Sequence, residues 1–142
     1  VGVFHAGRAE VIANDHGLRR TPSVVAVVGG CGTEENAGLG GQGDRKPQIS
    51  WEVGDTAEGR RHKSLRGTAF NLKSFLGAHS LPAGGGVACP PLECTTDEKS
   101  GHIAFQLEPG VLPGVDGSEL PPSPAPQTAV HLATHIFRYL KE

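Results

Sequence analysis

Thr21-Pro22-Ser23-Val24-Val25-Ala26-Val27-Val28 is the stretch that decides the fold. Its last five residues are all apolar, and four of them are valine. A half-buried strand alternates apolar and polar side chains, and this run does not. It reads as a strand covered on both faces, so the chain must supply packing on either side of it.

Upstream, Val1 to Phe4 is apolar, His5-Ala6-Gly7 interrupts it, and Val11 and Ile12 resume the pattern within Glu10 to Ala13. This spacing predicts a hairpin about a glycine-containing turn. Asn14-Asp15-His16-Gly17 is turn chemistry. Asn and Asp side chains bond their own backbone, and Gly tolerates positive φ.

Downstream, residues 29 to 44 hold seven glycines in sixteen positions and almost no bulky side chain. Such a stretch buries too little surface to offset its ordering entropy, and a flexible insert is expected over 29–47. Ile49-Ser50-Trp51-Glu52-Val53 then alternates as a half-buried strand does. Asp55 is expected to N-cap a helix running through Ala57 to about Lys63. Thr68 to Leu76 is a second helical segment, with Phe70, Leu72, Phe75 and Leu76 on its apolar side and Gly77 just past its end.

A second flexible insert is expected over 80–91. Leu92 to Thr95 and His102 to Leu107 then read as two strands joined by the polar turn Asp97-Glu98-Lys99-Ser100-Gly101. The six prolines between Pro109 and Pro126 make 109–126 an extended, mobile third insert. From Gln127 to Glu142 a helix is expected. Ala129, Leu132, Ala133, Ile136 and Leu140 form its apolar stripe, with His131, His135 and Arg138 opposite.

The 142 residues suffice for one domain. A net charge of −2 offers no broad basic field for nucleic acid or an acidic membrane. No apolar run approaches the roughly 18 residues of a membrane span, and no basic-then-apolar leader opens the chain. The chain begins at Val1 and contains no Met, so its start is read as processed or missing. Three cysteines, Cys31, Cys89 and Cys94, make no disulfide framework and favour a reducing compartment.

Several patterns invite a chemical reading and do not sustain it. Gly38-Leu39-Gly40-Gly41-Gln42-Gly43 fits G-x-G-x-x-G, but it lies ten residues past the strand and runs into Asp44-Arg45-Lys46-Pro47. A dinucleotide loop must join a strand directly to a helix N-terminus. His131 and His135 share a helical face, yet Leu132 stands where a metalloprotease helix carries Glu, and no third ligand is evident. Both are expected to be solvated. Cys89 and Cys94 are spaced too widely for a zinc knuckle and lack a second pair. Asp15, Asp55, Asp97 and Asp116 show no acid–base spacing.

Val1-Gly2-Val3-Phe4, Gly7, Glu10-Val11-Ile12-Ala13-Asn14-Asp15, Gly17, Arg19 and Thr21-Pro22-Ser23 together resemble the start of the heat shock protein 70 ATPase domain. Gly54-Asp55-Thr56-Ala57 resembles the next family element, and Phe70-Asn71-Leu72-Lys73-Ser74-Phe75-Leu76-Gly77 the segment after it, without a gap. Ile136 to Glu142 resembles a helix of the family's second subdomain. The resemblance implies an α/β fold, part of the first lobe of an actin-like ATPase. It makes 1–142 a partial N-terminal nucleotide-binding domain with inserts at 29–47, 80–91 and 109–126.

The implied function is that of an ATP-binding molecular chaperone, which assists protein folding through a cycle of ATP hydrolysis. The implied cofactors are ATP/ADP with Mg2+. The implied partners are unfolded or nascent polypeptides, J-domain co-chaperones and nucleotide exchange factors. The cytoplasm is the implied compartment, with nucleus and endoplasmic reticulum open.

Lys73 is the residue to which the resemblance assigns catalysis, reaching the terminal phosphate of ATP and the attacking water. A fixed ammonium beside developing negative charge is what phosphoryl transfer needs. Where Ser74 stands, the family usually has a second basic residue. The family's first phosphate hairpin would precede Val1, and its second phosphate loop and adenosine pocket would follow Glu142. A second reading therefore stands beside the ATPase: a non-enzymatic remnant, or a binding or regulatory module.

Overall fold

The computed structural model describes residues 2–31, 47–81, 91–111 and 121–141. Much of the three expected inserts (32–46, 82–90 and 112–120), including the 38–43 glycine pattern, Cys89 and Asp116, lies outside these residues.

The first element is the expected hairpin. Strand β1 (Gly2–His5) pairs antiparallel with β2 (Arg8–Val11), with His5 opposite Arg8. Ala6 and Gly7 form the two-residue turn, both at positive φ (48° and 76°). That left-handed pair matches the twist of the strands it joins. Asn14 then closes a turn of its own: its Oδ1 accepts from the backbone N–H of His16 and of Leu18, at 3.1 and 2.9 Å.

β3 (Val25–Cys31) is the central strand. It pairs along its whole length with antiparallel β4 (Pro47–Val53), in a register that sets Val25 opposite Val53 and Val28 opposite Ser50. Its other edge is shared by antiparallel β5 (Thr68–Ala69) and parallel β8 (Gly110–Val111). The valine run is covered on both faces, as its sequence requires. Val25 and Val27 enter one apolar cluster, and Val24 and Ala26 enter another with Ala57 and Phe70. The strand runs three residues beyond the valines, because Gly29, Gly30 and Cys31 still pair with β4. Backbone hydrogen bonding thus claims residues expected in the first insert, and likewise Pro47, Gly110 and Val111.

Helix α1 (Asp55–Arg60) is shorter than expected, and Asp55 does not cap it. Gly54 occupies the cap position at φ 70°, and the Asp55 carboxylate instead accepts from Asn14 Nδ2 at 2.8 Å. The second expected helix is also corrected. Thr68 and Ala69 are extended on the edge of β3, Asn71 turns left-handed at φ 55°, and only Leu72–Phe75 coils, as a 3₁₀ turn. The left-handed residue breaks any continuous helix through the segment.

β6 (Glu93–Thr96) and β7 (Ile103–Gln106) form the expected second hairpin, and β9 (Gln127–Thr128) adds to the far edge of β7. This pairing delays the start of helix α2 (Ala129–Lys141) by two residues relative to the sequence reading. Ala129, Leu132 and Ile136 of α2 are buried in the main core with Val25, Val27, Leu72, Phe75 and Phe105. Phe75 meets Phe105 edge-to-face at 5.2 Å, which ties the 3₁₀ turn to the second sheet. The result is a mixed arrangement of sheets and helices, with the Leu72–Phe75 turn clamped between α2 and β7.

Candidate functional site

Lys73 lies on the Leu72–Phe75 turn, and the local pattern explains its position. Leu72 and Phe75 are almost wholly buried, at 2% and 1% exposure, while Lys73 and Ser74 between them are exposed. Two apolar anchors three residues apart hold the backbone and leave the pair between them facing outward. The ammonium is thus carried by a fixed segment rather than by a loose loop.

The surroundings of Lys73 form a shallow cleft of about 370 Å³, lined by Ser23, Val24, Arg61, Phe70, Asn71, Leu72, Lys73 and Ser74. Arg61 follows the end of α1. Its guanidinium lies 3.9 Å from the centre of the Phe70 ring and pairs with Glu58 at 3.1 Å. Stacking on a ring face fixes the plane of a guanidinium while leaving other N–H groups open to a ligand. The cleft therefore presents two cations and the hydroxyls of Ser23 and Ser74 from three separate stretches of chain. Sequence reading selected Lys73 and missed Arg61, because no spacing along the chain links residue 61 to residue 73.

A second polar cluster joins the Asn14 turn to both helices. Asn14 Nδ2 donates to Asp55 Oδ2 at 2.8 Å and to Thr21 Oγ1 at 3.3 Å. Partial burial, then the nearby carboxylates of Asp15 and Asp55, hold the Tyr139 phenol above its ordinary range. A Cβ on Gly54 would fall 2.8 Å from Thr21 Cγ2, so this crossing admits only glycine without displacement. Asp15 and Asp55 are brought together here as neighbours of one tyrosine, a pairing invisible in their spacing. Asp97 stands apart, its carboxylate held below the usual range by hydrogen bonds from the hydroxyl and backbone N–H of Ser100.

His131 is exposed, as expected. His135 is not simply solvated: it is half-buried and stacked on Trp51, and burial, then Arg138, lowers its pKa. Among the described residues no three His, Cys, Asp or Glu side chains converge as metal ligands. Cys94 is half-buried on β6, and its Sγ lies 3.5 Å from the Leu92 carbonyl. No helix among the described residues is long and apolar enough to cross a membrane.

No protein-family model matches the chain. Over 110 residues, 78% of its length, the chain is similar to heat shock 70 kDa protein 14: 27% identical to that of Rattus norvegicus and 29% to that of Homo sapiens. The Bos taurus protein is 28% identical over the same length. The matched segment spans 18% of the length of these relatives. The chain is thus a distant relative of the heat shock 70 kDa proteins, matched over only a small part of their length.

Proposed function

We propose that this chain is part of the first lobe of an actin-like, ATP-binding chaperone domain, and that the Lys73 cleft faces the terminal phosphate of the nucleotide. The observation that carries this reading is the joint placement of Lys73 and Arg61 in one cleft with Ser23 and Ser74. Fixed cations and hydroxyl donors are the groups that hold phosphoryl oxygens. Arg61, just past the end of α1, supplies the second positive charge that Ser74 does not. The lining side chains include no carboxylate, so this set fits phosphate oxygen and not Mg2+.

In this role the Lys73 ammonium binds and orients the terminal phosphate, and it stabilises charge that grows as the phosphoryl group leaves. Arg61, stiffened by Phe70, holds a second oxygen. ATP bound in the domain supplies the reactive phosphoanhydride. Hydrolysis would drive assisted folding of unfolded or nascent polypeptides, with J-domain co-chaperones and nucleotide exchange factors as partners, in the cytoplasm. The relation to heat shock 70 kDa protein 14 supports a chaperone-related origin.

The second reading, a binding or regulatory module without ATPase activity, draws support from a different feature. Phe4 on β1 and Phe137 on α2 are 78% and 70% exposed, as befits contact surfaces.

Calorimetric titration of the chain with ATP and Mg2+ tests the first reading. Saturable binding is expected, weakened about tenfold or more in Lys73→Ala and largely retained in Lys73→Arg. No saturable binding, or equal affinity in Lys73→Ala, would remove the phosphate role and leave the binding-module reading.

A further inference from the structure

His79 and His102 come from different elements, and the fold brings their rings together. His79 leaves the 3₁₀ turn, and His102 enters β7. Their ring centroids are 4.6 Å apart, with the planes tilted by 58°. The backbone beneath them is tied: Ile103 N–H donates to the Ala78 carbonyl at 2.9 Å, and Asp97 N–H donates to the His102 carbonyl at 2.9 Å.

The tautomer of His79 follows from its partner. Nδ1 lies 2.9 Å from the Gly101 carbonyl oxygen, which can only accept. Nδ1 therefore carries the proton, and Nε2 holds the free lone pair. An imidazole that donates one N–H to a backbone carbonyl is arranged as metal-bound histidines are. The ring separation also fits. Two imidazoles sharing an ion at metal–nitrogen distances of about 2.0–2.1 Å, at angles between square and tetrahedral, place their centroids about 4.5–5 Å apart.

We propose that His79 and His102 form a two-histidine chelate for a borderline divalent transition-metal ion, with Cu2+ bound most tightly and Zn2+ less so. Imidazole nitrogen suits these ions, and their affinity order places copper first. Among the described residues no third His, Cys, Asp or Glu joins the pair. Asp97, the nearby carboxylate of the same turn, is engaged by Ser100 through its N–H at 2.8 Å and its Oγ at 2.6 Å. Water completes the coordination. A bound ion would cross-link the segment leaving the Lys73 turn to the β6–β7 hairpin.

The test is Cu2+ titration of the tag-free chain, followed by electron paramagnetic resonance at one equivalent of metal. Two equatorial imidazole nitrogens are expected on the copper of the intact chain, a readout that needs no variant. His79→Ala and His102→Ala, each checked by circular dichroism, should weaken binding about tenfold or more. His131→Ala, which removes the competing i, i+4 pair of α2, should leave it unchanged. Fewer than two nitrogens, undiminished affinity in His79→Ala or His102→Ala, or loss of binding in His131→Ala would overturn the assignment.

Discussion

The His135 ring stacks on Trp51, centroid to centroid at 4.4 Å with only 22° between the planes, and so joins α2 to β4 through one aromatic contact. Burial of His135, and then the positive charge of Arg138, favours its neutral form and lowers its pKa from the ordinary 6.5. The unfolded chain binds this proton more readily than the folded one. Stability from the neutral imidazole is therefore complete above pH 6.5 and is lost as pH falls through the folded value.

Trp51 is the chain's only tryptophan, so its fluorescence reports on the surroundings of this one ring, His135 included. Emission is expected to change as pH falls below 6.5, with a midpoint under that value and a parallel loss of denaturant resistance. His135→Phe keeps a stacked ring and should abolish this fluorescence transition. A transition of unchanged midpoint in His135→Phe would show that another group controls it.

Gly54 should not tolerate a side chain. It sits at φ 70°, and an added Cβ would approach Thr21 Cγ2 to 2.8 Å. Gly54→Ala is expected to cost about 1–3 kcal/mol, through backbone strain and the displaced Thr21 methyl. Urea unfolding measures this directly, and Thr21→Ser, which deletes that methyl, should recover part of the loss in the double variant.

Asn14 works through both ends of its amide. The oxygen closes the turn to His16 and Leu18, and the nitrogen donates to Asp55. Asn14→Asp keeps the first role and sets a carboxylate against a carboxylate in the second. It should destabilise the fold by about 1–3 kcal/mol at neutral pH, with partial recovery in acid as one of the pair takes up a proton. A neutral-pH stability equal to the parent chain would mean that the Asn14–Asp55 bond contributes nothing.

What could be read from the chain followed from local chemistry. The valine run named the central strand because no amphipathic pattern competed with it. The first hairpin was legible in the break at His5-Ala6-Gly7, and the second in the Asp97–Gly101 turn. The segment from Thr68 to Leu76 departs from its helical pattern for a physical reason. Phe70, Leu72, Phe75 and Leu76 are spaced as on a helix, but they serve different neighbours. Phe70 packs beside Ala57, while Leu72 and Phe75 enter the main core, and left-handed Asn71 makes the division possible. Gln127 and Thr128 likewise read as helical in the sequence, because the edge of β7 that pairs with them is distant in sequence.

The site was legible only in part. Lys73 emerged from a resemblance of eight consecutive residues. Arg61 did not, because its place beside Lys73 depends on its stacking on Phe70, two residues before the 3₁₀ turn, a contact made only in the folded chain. The stacking of His135 on Trp51 was hidden for the same reason: an i, i+4 histidine pair describes a helix face, not what lies against it.

The most direct test of the phosphate-facing cleft is amide NMR of the isotopically labelled chain during titration with ATP and Mg2+. Saturable shifts concentrated at Ser23, Arg61, Asn71, Lys73 and Ser74, and lost in Lys73→Ala, are predicted. Shifts that leave these five residues untouched at saturating nucleotide would contradict the account.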